Sequence, residues 1–243
     1  MFSYVTDPIT ALLVFLYELL GSNFGLAIIA LTLIIRTALI PLTLPSLKSA
    51  QKIKGLKPHL DKLKKKHSDK VKLQKAQMEL YKQHGVNPAA GCLPQILQLV
   101  ILIALYQVFM KFIDNGSVNG QQVDMNFLWL DLSKPDSLYI LPILAAGSQF
   151  IFSFMMRPGL EQHLLETKNK KKKAKSEDKM EMAESIQSQM LYMMPIMTGV
   201  IALRFPAGLA VYWVATTLFS LVQQYFVSGL GGLEVIINKL KNK

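Results

Sequence analysis

The chain is poor in the residues and motifs that most enzymes and secreted domains rely on. Its single cysteine, Cys92, has no partner for an internal disulfide and leaves the redox compartment open. The four histidines, His59, His67, His84 and His163, lie in or beside lysine-rich segments, with no cysteine or carboxylate at metal-ligand spacing. No Gly-rich phosphate loop and no nucleophile elbow is present. These absences argue against an enzyme, and no cofactor is expected. Acidic residues are scarce, 16 against 27 Lys and Arg, and none falls inside the long apolar stretches. No internal repeat is visible.

What is present is segregation. The chain is 51% hydrophobic, yet its charges come in blocks. Between Phe24 and Leu47 the only charge is Arg36, whereas Lys48 to Lys82 holds twelve lysines opposed by Asp61, Asp69 and Glu79. A soluble domain interleaves charge with apolar residues, so the blocks argue for membrane spans joined by aqueous loops. A basic chain of pI near 9.6 also fits nucleic-acid binding, but no nucleic-acid motif accompanies the charge, and lysine-rich cytoplasmic loops have a topological cause. No specific nucleic-acid partner is expected.

The fold class expected is an all-α membrane protein with five transmembrane helices, placed at 24–47, 88–113, 138–156, 186–205 and 206–227, each near the ~20 residues that cross a bilayer core. Lysines alternate between loops. They crowd 48–87 and 157–185, where Arg157 and seven lysines stand, and they thin out in 114–137. By the positive-inside rule the N-terminus is outside and the tail 228–243 is cytoplasmic. Arg204, in an outer turn, is a local exception. The first positive residue is Arg36, unlike the start of a secretory signal. Residues 1–23 are therefore expected to form an outer-surface interfacial helix.

Residues 48–87 have the pattern of a cytoplasmic helical hairpin. Leu56, Leu60 and Leu63 share one face, and Leu73, Gln77 and Leu80 share another. Pro58 fits only near a helix start. Ser68 or Asp69 is placed to cap the second helix, and Gly85 to close it. A solvated linker without a task is the alternative reading.

Arg36 is the sharpest feature. At 1.5 Å per helical residue it lies about 18 Å from both Phe24 and Lys48, near the middle of the first span. Pro41 and Pro45 are candidates to bend the second half of that span. A central arginine costs about 3 kcal/mol or more, so it requires water, a partner or a purpose. No Asp or Glu in the other spans is available as a buried partner. Uncharged polar residues are: Thr32, Gln95, Gln98, Ser148, Gln149, Ser153 and Thr198, with Trp213, Thr216, Thr217, Ser220 and Gln224 spaced along one face of the last span. Such residues also serve as ordinary interhelical hydrogen-bonding groups. Together with Arg36 they suggest a water-filled groove inside the membrane.

Particular runs carry a resemblance. Asn87-Pro88 followed by Gly91-Cys92-Leu93-Pro94-Gln95, then Leu105-Tyr106, resembles the entry to the second core helix of YidC-type insertases. Phe205-Pro206-Ala207-Gly208-Leu209-Ala210-Val211-Tyr212-Trp213, ending in Gln223-Gln224-Tyr225, resembles that family's last helix. Ile35-Arg36 with Pro41-Leu42 resembles its first. The motifs fall in the family's order over nearly the whole chain, alongside the mitochondrial Oxa and chloroplast Albino proteins.

The resemblance implies a membrane protein insertase and chaperone. Arg36 would receive acidic or polar parts of a substrate, and Thr32, Gln149, Tyr212, Trp213 and Thr216 would line the groove or contact the nascent segment. Implied partners are nascent membrane proteins, the ribosome, the lipid bilayer and the Sec translocon. A multi-pass protein of the bacterial plasma membrane is expected. The rival reading is a small-anion transporter or channel using Arg36 as its binding charge, although paired repeats, common in transporters, are not visible.

Overall fold

A computed structural model describes residues 3–67, 69–87, 93–115, 117–118, 121–156, 193–231 and 233–234. The described residues include the helices α1 (Ser3–Leu19), α2 (Phe24–Ala38), α3 (Ile40–Gly55), α4 (Lys57–Lys66), α5 (Lys70–Gln83), α6 (Leu93–Asn115), α7 (Ile140–Met156), α8 (Met193–Ala202) and α9 (Ala207–Ser228). Two small antiparallel ladders stand between α6 and α7. In the first, β1 (Ser117–Val118) pairs with β2 (Gln121–Gln122). In the second, β3 (Asn126–Phe127) pairs with β4 (Leu130–Asp131) in the register Asn126 to Asp131 and Phe127 to Leu130. The expected helix over 186–205 is described only from Met193, and the loop 157–185 and most of the tail lie outside the described residues.

The core follows from helical periodicity. Phe24, Ala27, Ile28 and Leu31 recur every three or four residues along one stripe of α2. They meet Leu13, Leu16 and Tyr17 of α1, Leu105, Val108, Phe109 and Phe112 of α6, and the first turns of α9. α1 is thus packed on the bundle by one face, while Tyr4, Phe15 and Leu19 on its other faces are exposed.

Residues 24–47 do not form one straight helix. α2 ends at Leu39 and α3 leaves at 66° to it. The ring of Pro41 would clash with a carbonyl one turn back in a continuous helix and supplies no N–H. Breaking at Leu39 puts Pro41 in the first turn of α3, where a missing N–H costs nothing. Pro45 lies inside α3 without breaking it.

Residues 48–87 contain α4 and α5 as two separate short helices. Pro58 occupies the first turn of α4. Asp69 caps α5, its Oδ1 accepting from the Val71 N–H at 2.9 Å, which satisfies one of the four orphan donors at a helix start. Gly85 has φ +62°, the left-handed conformation that ends many helices. The rings of His59 and His84 lie 6.1 Å apart across the pair.

By length and composition, one described helix suffices to cross a bilayer alone, at Ile96–Asp114 within α6. The bent pair α2 and α3 makes a second if it is one span, and α7 and α8 are apolar but shorter. α9 has 22 residues, but Thr216, Thr217, Ser220, Gln223 and Gln224 dilute its apolar character.

Candidate functional site

The start of α9 is fixed by the segment that follows β4. Ala207 N–H donates to the Lys134 carbonyl at 2.7 Å and Gly208 N–H to the Leu132 carbonyl at 3.1 Å, so these carbonyls take two of the helix's unpaired donors. Gly208 is needed there. A Cβ at that position would stand 2.1 Å from the Phe109 ring, so only glycine lets α6 and α9 approach this closely. The approach turns Tyr212 and Thr216, one helical turn apart, toward α2 and α6.

Arg36 occupies the last turn of α2. The break at Leu39 places its guanidinium near the negative end of a helix dipole, a favourable site for a cation. The guanidinium donates from Nη2 to the Gln98 side-chain carbonyl, and from Nε to Thr216 Oγ1 at 3.5 Å. Gln98 in turn donates from Nε2 to the Tyr212 hydroxyl at 3.0 Å. Three helices are tied together by this chain of neutral partners. Among the described residues no carboxylate lies within salt-bridge distance of Arg36; Lys134 and Asp131, an ion pair at 2.7 Å, are in the loop between α6 and α7. Arg36 and Gln98 are half-buried, while Tyr212 and Thr216 are buried.

The other expected site residues are placed as follows. Thr32, one turn before Arg36, is buried, and its hydroxyl donates to the Ile28 carbonyl at 2.7 Å. Trp213 points away from Tyr212, its ring 6.4 Å from that of Phe205, which lies 6.1 Å from Tyr106. Gln149 is half-buried on α7, the helix packed most extensively on α9. The Gln95 side chain lies outside the described residues. The hydroxyls of Thr217 and Ser220 bond to carbonyls of their own helix, at Trp213 and Thr216.

At a second polar level, Thr43 and its link to Gln223 were not singled out from the sequence. Gln223 Nε2 donates to Thr43 Oγ1 at 3.0 Å, linking α9 to α3. Thr43 stands seven residues after Arg36, a spacing that would share a face in an unbroken helix and could have singled it out. Beside it Gln224 is 1% exposed, and among the described residues nothing donates a hydrogen bond to its Oε1.

Above Arg36 the bundle is closed by aromatic packing. Phe24 sits 5.4 Å from Phe109 and 5.3 Å from Phe112, ring to ring. The loop between α6 and α7 lies over them as a cap: Phe127 covers Gly25 so closely that a Cβ there would be 2.1 Å from its ring, and Leu132 is fully buried. Tyr17 Oη accepts from the Asp124 N–H at 3.2 Å. Asp136 accepts from the N–H groups of Leu138 and Leu141, at 3.0 and 2.7 Å, and so starts α7.

These features define a class: an apolar helical bundle, capped at one end, that holds an arginine inside it on neutral hydrogen-bond acceptors. Residues 15–231 match the family described as 60Kd inner membrane protein. The chain is 38% identical over 231 residues to "Membrane protein insertase YidC 2" of Bacillus anthracis, covering 93% of this chain and 80% of that one. It is 37% identical over 233 residues to "Membrane protein insertase YidC" of Fusobacterium nucleatum, covering 94% and 99%. It is 36% identical to "Membrane protein insertase MisCA" of Bacillus subtilis, covering 93% and 78%. A solved structure, "Active YidC insertase crystal structure with the first transmembrane domain resolved", superposes with a TM-score of 0.64 at 26% identity, covering 93% of this chain and 47% of that one. The chain belongs to the 60Kd inner membrane protein family.

Proposed function

We propose that the protein is a membrane protein insertase and chaperone that moves short polar flanks of its substrates through an intramembrane groove and releases apolar segments into lipid. The observation that carries the mechanism is the environment of Arg36, a permanent charge whose structural partners are all neutral. A cation satisfied by acceptors keeps its full charge for an incoming anion. A carboxylate about 4 Å away at an effective dielectric of ~20 gains about 4 kcal/mol of Coulomb energy before desolvation is counted. The names of the relatives point to the same activity and do not favour an anion transporter.

In this reading five helices span the plasma membrane of a bacterium: the bent pair α2 and α3, then α6, α7, a fourth helix containing α8, and α9. The cap faces outside and α4 and α5 form a hairpin in the cytoplasm. The lysine asymmetry supports that orientation. The outward apolar side chains support burial in lipid, among them Ile96, Leu99, Ile143, Ile196, Val222 and Phe226. A nascent segment arrives with the ribosome, alone or beside the Sec translocon, and meets the hairpin. Its flank enters at the level of Thr43 and Gln223 and reaches Arg36, Gln98, Tyr212 and Thr216, with Gln149 and Trp213 along the path. The closed outer end leaves the flank a short remaining distance to cross. Burial of the apolar segment, about 25 cal/mol per Å², drives the step without nucleotide hydrolysis.

The test is a photoreactive group at Gln149 or Trp213 in protein reconstituted with ribosome–nascent chain complexes. Crosslinks to nascent membrane proteins are expected. Anion flux in liposomes without crosslinks would replace this reading with the transporter.

A further inference from the structure

The two ladders of the cap have connecting residues of opposite character. The residues between β1 and β2 are Asn119-Gly120, the pair that two-residue hairpin turns favour in water. The residues between β3 and β4 are Leu128-Trp129. Leu128 has φ +56°, a conformation that penalises a Cβ and is normally given to Gly, Asn or Asp. A bulky apolar residue is thus held in strained backbone at a tip, where its side chain is 76% exposed, with Trp129 beside it at 47%.

The same cap repeats the device where α7 begins. Tyr139 has φ +58°, and both it and Leu138 are 58% exposed. The flanking residues point inward: Phe127 covers Gly25, and Leu130 and Leu132 are buried. The exposed residues are therefore not surplus from a badly folded loop. Tyr139 and Leu138 continue into Ile143 and Leu144, exposed apolar residues on the outer turns of α7. No charge lies between Phe127 and Leu130 or between Leu138 and Met156, and the nearby Lys134 is paired with Asp131. An apolar surface with Trp and Tyr at its boundary, continuous with a lipid-facing helix, matches the headgroup boundary of a bilayer, where such rings concentrate.

We propose that the Leu128-Trp129 tip, together with Leu138 and Tyr139, is a membrane anchor that inserts into the outer leaflet at headgroup depth and fixes the height of the cap over the groove. The proposal rests on the membrane orientation given above, and its test separates the two.

The chain has only two tryptophans, Trp129 and Trp213, so a Trp213→Phe variant reports on Trp129 alone and a Trp129→Phe variant on Trp213 alone. Both are reconstituted, full length, in vesicles of phosphatidylcholine brominated high or low on its acyl chains. Trp129 is expected to emit blue-shifted and to lose most of its emission to bromine high on the chain, and less to bromine low on it. Subtracting the Trp129→Phe spectrum from that of the unaltered protein gives the same component, so one variant's folding does not decide the outcome. Leu128→Asn, which relieves the strained turn, is expected to keep the fold and reduce the quenching of Trp129. Red-shifted, unquenched Trp129 would overturn the anchor in favour of an aqueous loop. Blue-shifted but unquenched Trp129 would overturn it in favour of a protein partner. If the reconstituted protein is also stripped from the vesicles by alkaline carbonate, the membrane reading fails as well.

Discussion

Arg36 on α2 donates to the side-chain carbonyl of Gln98 on α6, and the orientation of that amide is forced. A guanidinium has only donors, so Gln98 must turn Oε1 to Arg36 and present Nε2 to the Tyr212 hydroxyl. Gln98→Glu is expected to pair with Arg36 and cancel its charge while preserving the packing. Thermal stability should be kept, and insertion of substrates with acidic flanks should fall several-fold. Gln98→Leu leaves both neighbours short of a partner and is expected to cost about 1–3 kcal/mol of stability. Melting of purified protein and insertion into vesicles, measured side by side, check the pair. A Gln98→Glu protein that inserts acidic flanks normally would contradict the role given to the charge.

Topology is tested with Cys92→Ser protein in intact cells. A cysteine at the exposed Ser137, in the cap, is expected to react with an impermeant thiol reagent from outside. One at Lys72, on the exposed side of α5, is expected to react only after lysis. The reverse pattern would overturn the orientation and with it the direction of insertion.

The contact between Gly208 and Phe109 sets how closely α9 approaches α6. Gly208→Ala is expected to destabilise the protein by about 1–3 kcal/mol through overpacking. Phe109→Leu in the same chain should recover part of that loss by giving the new methyl room. The measurement is the melting temperature of single and double variants. Additive losses would show that the two residues do not set this approach.

Asp131 gives a pH prediction for the cap. Hydrogen bonds from Lys134 first, and from Ser133, hold its carboxyl below the ordinary value, and Asp131 holds the Lys134 ammonium above its own. A folded pKa below the unfolded one means that the carboxylate stabilises the cap above the unfolded value, near 4, and loses that contribution as pH falls through the folded value. Lys134 is largely exposed, so the effect is small and weakened by salt. Asp131→Asn should melt slightly below the parent at neutral pH, and the difference should vanish in acid. A difference that persists unchanged in acid would point to lost backbone hydrogen bonding at Ser133 instead of charge.

The sequence made the helices legible where pattern and local chemistry agree. The apolar run of α6, the Asp69 cap, Gly85 after α5 and the position of Pro58 all follow from rules that act within one or two turns. A bend was expected from Pro41 and Pro45; Pro45 sits inside α3 without one, and the place of the bend at Leu39 was not legible, because it depends on where the ring of Pro41 finds an unused N–H position. The ladders of the cap were missed although Asn119-Gly120 signals a hairpin, because two-residue strands leave no alternation to read. Leu128-Trp129 gives no turn signal at all. Arg36 was singled out by its solitude among apolar residues. Its partners were legible only as polar residues on other helices, because the choice of Gln98, Tyr212 and Thr216 depends on how α2, α6 and α9 pack. The link between Thr43 and Gln223 depends further on the 66° turn that carries α3 to α9.

The central claim is that Arg36 acts as a fixed positive charge for the translocated flank. It is tested most directly by insertion of paired substrates, identical except for one flanking carboxylate, into vesicles holding matched amounts of folded parent, Arg36→Lys or Arg36→Ala protein. A point charge needs no bidentate geometry, so lysine should preserve much of the activity. Alanine should lower insertion of the acidic-flank substrate several-fold and that of its neutral twin far less. Equal defects for the two substrates would contradict the electrostatic role of Arg36.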